Sequence, residues 1–221
     1  MIITEISDEI MAFLELKEDS QFSNIAPKDY VFYLSKSMAF GKIESQRYRR
    51  QDLEAILKSE GVQILHHQNV NTMETPFSMI QSQIYFTKEE KKIEIFVGVI
   101  EEKRRAMEKF GLRISAEEMR RLHLAHEFYH FLEFSRDQRT GERLPPISKK
   151  LLGIIPVQSY VTRTNEIAAH QFAKEVCNFP IHPKIMDYCY QITKGAYKRE
   201  AFGALVLSVQ TELEKGGYQW N

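Results

Sequence analysis

Two histidines four positions apart, His126 and His130, enclose Glu127 in the stretch RLHLAHEFYHFLEF, residues 121–134. Burying imidazole and carboxylate groups without partners is costly, so their place on the apolar stripe of a helix calls for a compensating interaction. On a helix, positions i and i+4 lie about 40° apart and one turn along, so both imidazoles reach a common point where a metal ion fits. Glu127 stands about 100° further round, beside that point, placed to handle a proton. This is the HExxH arrangement, in which two neutral imidazoles hold zinc and the carboxylate takes a proton from water at the metal.

A catalytic zinc needs a third protein ligand. Glu166 is the candidate: it opens a second helical stretch, NEIAAHQFAKEVCNFP, and His170 one turn later shares its face. Read alone, Glu166 is also an ordinary carboxylate favoured by the helix dipole. His123 stands three residues before His126, about 4.5 Å along the axis, and reads more readily as a rim or core histidine than as a group that steadies a ligand or an oxyanion. Tyr160 has a hydroxyl able to donate to an oxyanion, but packed tyrosines are commoner. His66, His67 and His182 read as structural, and the aromatic residues of the C-terminal helices as core.

The elements that must position these groups follow from periodicity. Residues 1–60 read as a helical lead-in broken near SNIAPKD and AFGK, with Ile10, Met11, Leu14 and Leu16 at helical spacing. GVQILHH and then SQIYFTKEEKKIEIFVGVI read as strands, the latter as a hairpin whose second arm continues through Val97 and Val99 to Ile100. Ser115 with Glu118 three residues on forms a capping box that starts the HExxH helix. Residues 135–164 form a long connection containing Gly141, Pro145, Pro146, Gly153 and Pro156, long enough to cover a cleft. Thr164 is the expected cap of the next helix, with Pro180 beyond its end, and helices around KIMDYCYQI and YKREAFGALVLSVQTELEK close the chain. The expectation is an α+β fold in a single domain, 1–221: a small antiparallel sheet packed on the HExxH helix and a second ligand-bearing helix, with a lead-in over 1–60, a core over 61–180 and C-terminal helices over 181–221.

Composition excludes several classes. The 221 residues carry 30 basic and 30 acidic side chains, and no dense Lys/Arg run offers a nucleic-acid footprint, so direct nucleic-acid binding is not expected. The acidic, amphipathic start lacks the features of a signal peptide and no apolar run reaches membrane-spanning length, so a cytoplasmic protein without a membrane partner is expected. Cys177 and Cys189, outside any CxxC pair, read as buried thiols.

Together LHLAHEFYHFLEF and NEIAAHQFAKEVCNFP resemble the ImmA/IrrE family of zinc metallopeptidases, whose second helix carries a Glu-x-x-Ala-x-x-x-Ala-like pattern, here Glu166, Ala169, Phe172, Ala173 and then Pro180. The order of helix, strand, hairpin and motif helix is also similar, and the resemblance covers about residues 54–180. It implies a zincin-like core, Zn2+ on His126, His130 and Glu166, and Glu127 as general base. It also implies a narrow protein substrate such as a transcriptional repressor. Two positions depart from the family pattern: Tyr129 stands where glycine is common, crowding the cleft, and His170 where Asn or Asp is usual. His170 is open to two uses, support of a liganding histidine or a fourth ligand. The fourth-ligand use would describe a non-catalytic, zinc-stabilised regulatory or interaction protein, because a closed tetrahedral site leaves no place for water.

Overall fold

Helix supplies about 59% of the described residues, so the strands serve mainly to place one sheet edge against a helical body. The computed structural model describes residues 3–68, 80–151 and 154–220; Gly153 lies outside the described residues. In chain order the elements are α1 (Asp8–Lys17), α2 (Tyr30–Ser45), α3 (Leu53–Ser59), β1 (Gln63–His67), β2 (Ser82–Phe86), β3 (Lys91–Phe96), α4 (Val97–Glu108), α5 (Ala116–Ser135), β4 (Ile147–Leu151), β5 (Ile155–Ser159), α6 (Arg163–Cys177), α7 (Ile185–Thr193) and α8 (Arg199–Lys215). The expected α+β class holds. No helix among the described residues is long and apolar enough to cross a membrane.

The motif helix forms as its cap predicts. Ser115 Oγ accepts from the Glu118 amide at 3.1 Å, and Glu118 Oε2 accepts from the Ser115 amide at 2.8 Å, closing the capping box at the head of α5. α5 packs against α6, with Phe128 stacked on Phe172 at 6.1 Å between centroids, and α6 in turn lies along α2. The expected break at AFGK is absent, because α2 runs straight through Gly41. A Cβ at Gly41 would overlap the Ala168 carbonyl oxygen and lie 2.9 Å from the Phe172 nitrogen. The glycine is therefore a point of close helix approach rather than a helix stop.

The β2–β3 hairpin forms in the register Ser82↔Ile95 to Phe86↔Lys91. Two expectations are corrected. The sheet is mixed, order β1-β3-β2, with β1 parallel to β3; the tight turn after β2 forces antiparallel pairing, whereas the longer stretch between β1 and β2 permits β1 to enter in the same direction as β3. The second arm also stops at Phe96, and Val97 opens α4. Buried Val99, Ile100, Lys103, Ala106 and Met107 follow the 3.6-residue period; the short alternation up to Val99 fits either reading. Among the described residues β2 is an edge strand.

α6 starts without help from Thr164, the expected cap. Its Thr164 hydroxyl donates to the Val161 carbonyl, and the helix head is served from a distance: Asp19 Oδ2 accepts from the Arg163 amide at 2.8 Å and from the Thr162 hydroxyl at 3.2 Å. Pro180 lies beyond the helix end as expected, after Asn178 closes it in the left-handed region at φ 49°. The connection ahead of α6 is anchored at several described points. Tyr33 donates to the Pro145 carbonyl at 2.7 Å, the Gly141 amide donates to Asn165 Oδ1 at 2.7 Å, and β4 pairs with β5 and packs beside Phe22–Asn24.

Candidate metal centre

His126 and His130 project from α5 toward the first turn of α6, where Glu166 meets them. His126 Nε2 lies 3.2 Å from His130 Nε2 and 3.2 Å from Glu166 Oε2, and His130 Nε2 lies 3.4 Å from Glu166 Oε1. A tetrahedral ion with bonds of about 2.0–2.1 Å sets its donors about 3.3–3.4 Å apart, so the triad has the spacing such an ion requires. Two imidazoles and one carboxylate are also a donor set suited to it. All three donors fall within 4.8 Å of one another, and these residues can hold a metal ion.

Electrostatics favours positive charge at this point. Burial alone would keep His130 neutral, but the carboxylates of Glu166 and Glu133 outweigh it and hold its pKa well above the ordinary value. Burial alone would raise Glu166, but the two imidazoles outweigh it and hold this carboxylate well below its ordinary range. A field that holds a proton here also favours a cation.

Supporting groups fix the donors. Glu133, only 5% exposed, accepts from His130 Nδ1 at 2.9 Å through Oε2 and from the Thr140 amide at 2.7 Å through Oε1. With Nδ1–H committed to Glu133, Nε2 keeps its lone pair for an ion. Glu127, 4% exposed, takes a hydrogen bond from the Ser82 hydroxyl at 2.7 Å, so β2 fixes the orientation of this carboxylate beside the triad. Two cavities flank the point, about 400 Å³ and about 350 Å³, and both reach Ser82, His126, Glu127 and Glu166. The second runs along Gln83 and Ile84 of the β2 edge.

In the sequence His170 is open to two uses, support of a liganding histidine or a fourth ligand. Its ring lies 4.7 Å from that of His126, but it is outside the group of converging donors, and its Nε2 faces Glu15 Oε2 at 3.8 Å. His123 lines the first cavity and is 7% exposed; burial, then the Lys103 ammonium, push its pKa down to about 3. Tyr129 does not crowd the cleft: it is buried, its hydroxyl bonded to Thr140 Oγ1 at 2.8 Å. Tyr160 is exposed and lines neither cavity, and neither do His66 and His67. His182 is buried against His170, rings 5.4 Å apart. Cys189 is a buried thiol and Cys177 a partly buried one, neither in a disulfide. The long connection contributes Arg139 and Arg163 to the cavity walls, and no described residue of its β hairpin.

Three participants were missed in the sequence. Glu133 carried a signal, an acid three positions after His130 inside the apolar run HFLEF. Glu15 and Ser82 carried none, since each meets the site only through tertiary packing. No protein-family model, curated protein or solved structure matches this chain.

Proposed function

We propose that the protein is a zinc-dependent metallo-endopeptidase of the ImmA/IrrE type, with a zincin-like core, cutting a peptide bond in a specific regulatory protein such as a transcriptional repressor in the cytoplasm. One observation carries the reading: donors from two helices converge at tetrahedral spacing while Glu127 stands beside them, oriented by Ser82. The chemistry a bound zinc supplies is Lewis acidity, polarising a carbonyl oxygen and easing deprotonation of water near neutral pH. Glu127 takes the proton of the attacking water at Oε2, Oε1 being held by the Ser82 hydroxyl, and returns it to the leaving amine. Glu133 keeps His130 in the tautomer that presents Nε2. The exposed edge of β2 receives an extended peptide as an added strand, laying its backbone across Ser82–Ile84 beside the triad. A purely structural zinc clamp needs His170 as a fourth donor, and His170 stands outside the converging group.

The test compares wild type with Glu127→Gln at equal zinc occupancy on a random peptide library and on a proteome lysate, reading new N-termini by mass spectrometry. Zinc-dependent cleavage by wild type should fall by about 100- to 10,000-fold in the variant. Equal cleavage by both would remove Glu127 from its role.

A further inference from the structure

The two cavities beside the triad differ in how their charges are spent. In the one of about 400 Å³ the basic groups already have partners: Lys184 Nζ lies 2.7 Å from Glu15 Oε2 and 2.6 Å from Glu18 Oε1, and Arg163 Nη1 lies 2.9 Å from Glu15 Oε1. In the other, about 350 Å³, Arg139 is the basic side chain that stands beside the ligand histidines, and it has no such partner. Glu142 accepts from the Arg139 backbone amide at 3.2 Å, and among the described residues no carboxylate pairs with the guanidinium, which lies over the Phe134 ring at 5.2 Å. Arg139 is exposed, so its N–H donors are open to a ligand that enters the cavity.

The acids of the same cavity do not compete for it. Glu133 gives its two oxygens to His130 and the Thr140 amide, Glu127 takes the Ser82 hydroxyl, and Glu166 faces the imidazoles. Asn165 lines this cavity too, and its Oδ1 is taken by the Gly141 amide at 2.7 Å, which leaves its NH2 group without a partner among the described residues. A guanidinium and an amide NH2 donate and do not accept. Together they ask a ligand for acceptors, and the positive charge favours an anionic one.

Phe134 ties this cation to the metal centre and to the strand edge. Its ring lies 6.5 Å from that of His130 and 5.7 Å from that of Phe86 on β2. The guanidinium is therefore no further from the His130 ring than the steps of 6.5 Å and 5.2 Å laid end to end. A peptide extended along β2 advances about 3.3 Å per residue, so about three residues and the length of one side chain cover that span.

We propose that Arg139 is a specificity-determining residue, selecting substrates with an acidic side chain, glutamate or aspartate, within about three residues of the scissile bond on the side that passes Ile84. The carboxylate accepts from the guanidinium and from the Asn165 NH2 group, while the Phe134 ring steadies the guanidinium plane. This assignment rests on the peptidase reading and names the substrate chemistry that the site selects.

The experiment uses short peptidyl hydroxamates, whose metal-binding group docks without cleavage. The hydroxamate stands at one end of the peptide or the other in two series, and one residue, Glu, Gln, Leu or Lys, is varied at each of the neighbouring positions. Affinity for the zinc-loaded protein and for the chelator-treated protein is measured by calorimetry at low and at high salt. In one series the Glu compound should bind zinc-loaded wild type about 2- to 10-fold more tightly than the Gln compound, the range of an exposed to a well-formed charged pair. The Lys compound should bind most weakly, and added salt should narrow the spread. In Arg139→Glu the order of the Glu and Lys compounds should invert, while zinc-dependent binding of the Leu compound persists; an unchanged Glu preference in that variant overturns the assignment. Zinc-dependent binding to wild type that is flat across side chains in both series also overturns it and leaves the peptidase reading standing. Binding that does not depend on zinc for any compound removes the metal-centre reading, and the role of Arg139 with it.

Discussion

Replacing Glu133 by glutamine is the sharpest probe of how the centre is held, because one atom changes and the outcomes separate. Both carboxylate oxygens are used: Oε2 by His130 Nδ1 at 2.9 Å and Oε1 by the Thr140 amide at 2.7 Å. Glutamine offers one acceptor and one donor group, so only one of these two hydrogen bonds survives. If the amide oxygen keeps Thr140, the NH2 faces His130 and the imidazole must accept at Nδ1. The proton then sits on Nε2, the atom that lies 3.2 Å from His126 Nε2 and 3.4 Å from Glu166 Oε1, and the ion loses a ligand. If the oxygen instead keeps His130, a buried backbone N–H is stranded at a cost of about 1–3 kcal/mol. Loss of a partner of this kind lowers metal affinity by about 10- to 100-fold, equivalent to about 1.4–2.7 kcal/mol. Zinc affinity of Glu133→Gln is measured by competition against a chelating dye, and its melting temperature is measured without metal. The account expects weakened affinity, a lowered melting temperature, or both. Wild-type values for both would refute the claim that Glu133 orients His130.

Gly41→Ala is expected to destabilise the fold, against the usual helix preference for alanine of about 1 kcal/mol, because its Cβ would meet the Ala168 carbonyl and the Phe172 nitrogen. An overpacking cost of about 1–3 kcal/mol should lower the melting temperature by several degrees, and a rise would show that α2 and α6 are not in close contact there. His182 should make stability fall toward acid pH. Burial and then the ammonium groups of Lys174 and Lys184 push its folded pKa down to about 3, so below pH about 6.5 the unfolded chain binds a proton that the folded chain refuses. Between pH 7 and pH 5 this contributes about 2 kcal/mol of lost stability, which urea unfolding of wild type and His182→Phe should show as diverging curves; parallel curves would contradict it.

What could be read in the sequence was local. The α5 head needs only Ser115 and Glu118, three residues apart, and the β2–β3 hairpin needs only its alternating arms and a polar turn, so both were legible. The His126–His130 pair was legible for the same reason, since helix geometry alone brings i and i+4 together. What went astray depends on distant partners. Gly41 looks like a break until α6 is laid against it, and the head of α6 is capped by Asp19, well over a hundred residues earlier. The direction of β1 is decided by packing rather than by its five residues. At Val97 the alternating pattern and the helical one coincide for a few positions, and only the later run to Met107 separates them. The third donor, Glu166, follows in the sequence only from residue type and resemblance, because its approach to the imidazoles depends on the packing of α5 against α6.

The central claim is an open three-donor zinc site made by two helices. A crystal structure of the zinc-loaded protein, with anomalous differences collected at the zinc edge, tests it most directly. The expected result is one anomalous peak about 2.0–2.2 Å from His126 Nε2, His130 Nε2 and a Glu166 carboxylate oxygen, with His170 beyond bonding distance. A peak bonded to His170 as a fourth protein ligand, or no peak between the two imidazoles and Glu166, would contradict it.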